Sequence, residues 1–157
     1  MSIHSTGKKV RKGFTLVELA VVIVIIGVLA AFGVPKFLNS VERSKAAEAF
    51  GYLAAIREAN ERYIALMGVY SPDQGSWDIS MQAPKYFTVT SYTPTAGSAT
   101  TAPSWTMTLT RDVASSSKGA YTVIFTQDGF DYTNSSITAN PEINPMGSTG
   151  STSGGSS

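Results

Sequence analysis

The decisive stretch is GFTLVELAVVIVIIGVLAAFGVPKF, residues 13–37. From Phe14 to Val34 it holds one charge, Glu18, and Pro35 and Lys36 close it. As a helix those residues rise roughly 31 Å, about the thickness of one bilayer hydrocarbon core. The residues before it reverse the character: Lys8, Lys9, Arg11 and Lys12 occur with no acid. A basic flank ahead of an apolar run predicts that the N-terminus stays cytoplasmic while the rest crosses. Two ordinary readings compete. A cleaved secretory signal has a shorter apolar region, although Ala30 and Ala31 offer small residues for a cut. A plain signal anchor has no further role. Glu18 argues against both, because a carboxylate inside an apolar span costs about 2.5–3.5 kcal/mol on insertion scales and calls for a partner.

The run from Gly13 through Phe14, Thr15, Leu16 and Val17 to Glu18 resembles the class III signal of type IV pilins and type II secretion pseudopilins. Four features coincide: the basic leader, the Gly-Phe junction, the TLVEL run and the long apolar helix. The resemblance covers residues 8 to about 38. It implies that a prepilin peptidase cuts between Gly13 and Phe14 and methylates the new Phe14 amine. It also implies that Glu18 meets the Phe14 amine of a neighbouring subunit during assembly. Either charge left alone in a filament core is costly, so the pair acts as a register check. An intrachain pair between Phe14 and its own Glu18 stays open on the sequence. Gly27, Gly33 and Pro35 resemble the positions where the pilin helix becomes extended within filaments. A proline kink in a helical subunit is the other reading.

The composition takes its meaning from this layout. The 157 residues carry a net charge of +1, with 43% hydrophobic and 15% charged residues, no cysteine and one histidine. Removing residues 1–13, with their four basic groups and His4, turns that charge into −3. The mature chain would have neither histidine nor cysteine, so Ser-His-Asp and Cys-His catalysis are excluded. No enzyme activity is expected, and the lack of a basic cluster speaks against a nucleic-acid partner.

After Pro35 the pattern becomes two-faced. Leu38, Val41, Ala49, Tyr52, Ile56, Ala59, Tyr63 and Leu66 form an apolar stripe, interrupted at Lys45. Glu42, Glu48 and the pairs Arg57/Glu61 and Glu58/Arg62 fall on other faces. Gly68 is the helix stop. The aromatic residues Phe50, Tyr52 and Tyr63 are assigned to the core of a small head. Five segments result: leader 1–13, apolar helix 14–35, amphipathic helix 36–67, a loop and sheet head 68–146, and a Gly/Ser/Thr tail 147–157. The expected fold class is α+β and pilin-like, with one long helix packed on a small antiparallel sheet of about four strands.

Glycine and proline punctuate residues 68–85, a connecting loop. Period-two alternation predicts strands at Tyr86–Tyr92, Ser104–Thr110, Ala120–Thr126 and Gly129–Thr133, with Asp128-Gly129 as a hairpin turn. Between Thr88 and Thr110, 12 of 23 residues are Ser or Thr, which suits a solvated sheet face. The tail composition builds no core, and reads as a natural tail, an O-glycosylated tail or an appended linker. The absent cysteines depart from the disulfide-closed pilins. The calcium of major pseudopilins raises Asp112, Asp128, Asp131 and Glu142 as weak oxygen ligands, against a reading as solvated turn acids. No cofactor is otherwise expected.

The functional expectation is a structural subunit of a homo-oligomeric helical filament. It would sit in the inner membrane as a single-pass precursor, then pass through an inner-membrane assembly platform to a cell-surface pilus. The alternative is the major pseudopilin of a type II secretion system, in a short periplasmic filament. A membrane-anchored adhesin, a DNA-uptake tip subunit and a periplasmic enzyme are more remote.

Overall fold

The computed structural model describes residues 13–147. The leader residues 1–12 and the tail from 148 onward lie outside the described residues. Helix α1 runs Leu16–Met67 and contains Pro35. Four strands follow: β1 Phe87–Thr95, β2 Ser104–Arg111, β3 Thr122–Thr126 and β4 Gly129–Phe130. They form one antiparallel sheet in the order β1-β2-β3-β4. The chain is therefore α+β, with one long helix and a four-stranded sheet.

Contacts divide the chain into two units, the first ending at Lys36 and the second beginning at Phe37. In the first, every residue from Gly13 to Lys36 is exposed. The Gly27 and Gly33 positions are helical, and a Cβ at either would meet nothing within 4 Å. The helix is long and apolar enough to cross a membrane, with a window of mean hydropathy 2.8.

In the second unit α1 buries Glu42, Ala46, Ala49, Tyr52, Leu53, Ile56, Ala59 and Asn60. This corrects the expected stripe at both ends. Leu38 and Leu66 are 46% and 82% exposed, and Glu42, expected on a polar face, is buried. The sheet sets that choice. Three alanines let it approach the helix closely, and its inward side chains Trp105, Met107, Leu109 and Val123 then cover positions centred on Leu53 and Ile56. Phe50, Phe125 and Phe130 pack as an aromatic group with centroids 4.9 to 5.8 Å apart. Tyr52 is buried and Phe50 packs against the core, whereas Tyr63 is only half-buried.

The strands differ from expectation at their ends. β1 starts one residue later and runs on to Thr95, carrying Pro94 with it. It is an edge strand, where a residue without an N–H is tolerated. A bulge between Val89 and Ser91 shifts its register against β2. β2 gains Arg111, and β3 starts at Thr122 rather than Ala120. β4 is two residues long because the chain turns after Asp131 N–H bonds Ile124 O at 2.9 Å. The hairpin turn falls at Gln127-Asp128, one residue earlier than predicted, with Gly129 at φ +110° opposite Thr126. Gly68, at φ +76°, ends α1 with its N–H on Ile64 O, a left-handed C-cap.

Candidate functional site

The first turn of α1 is a capping box. The Thr15 N–H and hydroxyl both donate to a Glu18 carboxylate oxygen at 2.8 Å, and the Glu18 N–H donates to Thr15 Oγ1 at 3.2 Å. Such a reciprocal pair satisfies donors that a helix start leaves unpaired. Its signature, Thr-x-x-Glu at residues 15–18, lies inside the pilin-like motif and is overshadowed by it. In the single chain, then, Glu18 holds its own helix end. Phe14, beside it, is 80% exposed, as are Leu16 (87%) and Phe32 (77%). A carboxylate thus stands at the edge of an apolar surface that nothing within the described residues covers.

The other charged centre lies within the second unit. Arg111 Nε donates to Glu42 Oε1 at 2.6 Å, with both residues about 1% exposed. The guanidinium also donates to Tyr86 O, Asp112 O, Ser115 O and Ser115 Oγ. The Tyr121 hydroxyl donates to Glu42 Oε1 at 3.0 Å, and Lys45 lies 3.6 Å from Oε2. Burial opposes ionisation of Glu42. The hydrogen bonds from Arg111 and Tyr121 and the charges of Arg111 and Lys45 outweigh it, holding the carboxyl below its usual range. Burial and the Glu42 charge push the Tyr121 hydroxyl upward, so it stays a donor. This network ties helix to sheet. Arg111 was legible in outline, since it continues the inward parity of Trp105, Met107 and Leu109; an inward arginine needs an acid.

A second polar knot anchors the connecting loop. Asn60 Oδ1 accepts from Trp77 Nε1 and from the Tyr92 hydroxyl, each at 3.0 Å. Asp73 caps the short helical turn Gln74–Ser76 through the Gly75 N–H.

The four calcium candidates are each engaged separately. Asp112 accepts from the Ala114 N–H, Asp128 from Gln127 Nε2, and Asp131 from Asn134. Glu142 pairs with Lys118 at 2.6 Å, and that bond holds its carboxyl below the usual range. Among the described residues no group of three or more metal-ligating side chains comes together.

Residues 8–34 match the family model of the prokaryotic N-terminal methylation motif. That match defines the class: a chain with a prepilin-type N-terminus. Fimbrial protein EcpC of Eikenella corrodens is 41% identical over 73 residues, 46% of this chain and 48% of that protein. The type IV narrow pilus major component PilA5 of Thermus thermophilus is 50% identical over 48 residues, 31% of this chain and 41% of that one. Type IV major fimbrial protein FimA of Dichelobacter nodosus is 54% identical over 41 residues, 26% of each chain. The match spans less than half the length of these curated relatives. No solved structure matches the chain. Over its N-terminal part the chain is thus similar to fimbrial and type IV pilus proteins, and the likeness lies in the motif and the apolar helix.

Proposed function

We propose that this chain is a structural subunit of a type IV pilus-like filament. A prepilin peptidase removes the leader between Gly13 and Phe14 and methylates the Phe14 amine. The subunit waits in the inner membrane by its apolar helix, and an assembly platform draws it into a homo-oligomeric fibre at the cell surface. The observation that carries this reading is Glu18 beside a fully exposed apolar helix, from Leu16 through Val34. A bilayer covers that surface in the precursor, and the same helices of other copies cover it in a fibre. The relatives, named as fimbrial and pilus components, support the same role.

In the fibre, Glu18 exchanges its Thr15 bonds for the methylated amine of an adjacent Phe14. The trade keeps the carboxylate bonded in both states, so assembly never leaves it bare. Gly27, Gly33 and Pro35 are the places where α1 extends in the filament, because glycine and proline support a helix least. The role is structural and no reaction is assigned to the chain.

Electron microscopy of sheared surface material, with mass spectrometry of its N-terminus, tests this. Long fibres built of a chain beginning in methylated Phe14 are the expected result. Processed protein without surface fibres, together with lost secretion on deletion, would instead make it a pseudopilin.

A further inference from the structure

The second unit is electrically polar along its own helix. Its helix residues 42–48 pack beside Lys85, Tyr86 and Ser115, whereas residues 57–62 pack beside Gln127, Asp78 and Tyr92. At the first end every acid is already consumed. Glu42 holds Arg111, Glu48 accepts from the backbone N–H groups of Lys85 and Tyr86, Asp112 caps a turn and Glu142 holds Lys118. Left over are two exposed cations, Lys85 and Arg43, whose one bond among the described residues is to Pro145 O at 3.3 Å; Lys45 is held by Glu42 and Ser115 O.

The other end is the reverse. Arg62 is paired with Asp78 at 2.7 Å, and Arg57 donates to Gln127 O. Left over are two exposed acids, Glu58 and Glu61, whereas Asp73 and Asp128, also exposed, accept hydrogen bonds from neutral donors only. Glu58 has no hydrogen-bond or ion-pair partner among the described residues, and Glu61 accepts only a 3.4 Å bond from Tyr70. Glu58 and Glu61 line an open groove of about 520 Å³ with Ala54, Arg57, Arg62 and Phe125.

We propose that this groove receives the basic end of a second copy of the chain, with Arg43 and Lys85 of one copy facing Glu58 and Glu61 of the next. The occupant follows from charge complementarity. The two surfaces are different and lie at opposite ends of one head, so the contact is head-to-tail. Such a contact does not close on itself and propagates as a filament. Opposite charge steers the approach and fixes register, while like ends repel. The proposal rests on the filament reading above and adds the polar contact between neighbouring second units, which the apolar helix cannot supply.

The chain has no cysteine, so paired thiols report the contact directly. Arg43 and Glu61 are 18 residues apart on one helix, roughly 27 Å of rise, and a disulfide needs Cα atoms within about 7 Å. Any disulfide between them therefore joins two copies. Full-length Arg43→Cys/Glu58→Cys, Arg43→Cys/Glu61→Cys and Lys85→Cys/Glu61→Cys chains are expressed in cells lacking the wild-type chain. Sheared filaments are then oxidised and run on non-reducing gels. A ladder of multimers beyond the dimer from at least one pair is expected, with single-cysteine chains stopping at the dimer. Filaments that yield no ladder with any pair would overturn the inference and leave the filament reading standing. Absence of fibres from the wild-type chain would instead overturn that reading. Should a double-cysteine chain fail to assemble, charge exchange decides. Glu58→Lys/Glu61→Lys should lose fibres, and adding Arg43→Glu/Lys85→Glu should restore them. Full fibre yield from the first variant would refute the proposal. So would loss that the second pair leaves unrelieved, provided the membrane-fraction level is normal.

Discussion

Arg111, the last residue of β2, places its Nε 2.6 Å from the carboxylate of Glu42, a residue 69 positions earlier on α1. Both are buried, and the arginine satisfies three backbone carbonyls besides. Desolvation of two charges is recovered only when both are present and fully bonded. The pair therefore pins one register of helix against sheet.

Arg111→Leu leaves Glu42 buried without its cation and should cost about 3–5 kcal/mol of stability. Combining it with Glu42→Met should recover part of that loss, because no charge is then buried. The carbonyls of Tyr86, Asp112 and Ser115 lose one donor in either case, keeping the Asp112 N–H, the Ser115 N–H and the Lys45 ammonium. Chemical denaturation of the full chain in detergent, followed through buried Trp105, measures both.

Acid should loosen the same joint. The Glu42 carboxyl titrates below its usual range in the folded chain. Its contribution is thus complete above the unfolded value of about 4.3 and is lost as pH falls through the lower folded value. Stability should drop on acidification below about pH 4, and Glu42→Gln, less stable at neutral pH, should show a shallower drop. An equally steep acid response in Glu42→Gln would assign the effect to other carboxylates.

At the N-terminal capping box, two substitutions separate helix capping from assembly. Thr15→Ala removes the cap and should weaken the helix start by about 0.5–2 kcal/mol while fibres still form. Glu18→Ala should insert into the membrane normally and yield few or no fibres. Immunoblots of sheared and membrane fractions compare them. Normal fibre yield from Glu18→Ala would remove its role in assembly.

Gly13→Ala should block leader removal, so the chain accumulates with its four basic leader residues and an unmethylated Phe14. Intact-mass measurement of the membrane-bound chain reads this, and a normally shortened product would refute the cleavage site.

Two glycines should respond with opposite sign. A Cβ at Gly97 would lie 2.8 Å from Pro103 Cδ and 2.9 Å from Thr101 O, inside the β1–β2 connection. Gly97→Ala should therefore cost about 1–3 kcal/mol. At helical, exposed Gly51 a Cβ meets nothing, so Gly51→Ala should add up to about 1 kcal/mol. Thermal denaturation of the two variants gives the comparison.

The sequence by itself determined the apolar helix, its lone acid, the four strands and their antiparallel order, since each rests on local periodicity and on short connections. Thr15 and Glu18 were equally legible, being three residues apart. The helix face turned to the sheet was decided by the tertiary structure alone. Leu38 and Leu66 are as hydrophobic as Leu53, yet only Leu53 lies under the sheet, because sheet length and close approach at Ala46, Ala49 and Ala59 select the covered stripe. Glu42 reads as solvated until Arg111 arrives from 69 residues away, and burial of such a pair depends on its partner rather than on either residue's own polarity. The polarity of the head has the same origin. A count of charges along the chain is near neutral, and only the folded contacts reveal which acids and which cations remain uncommitted.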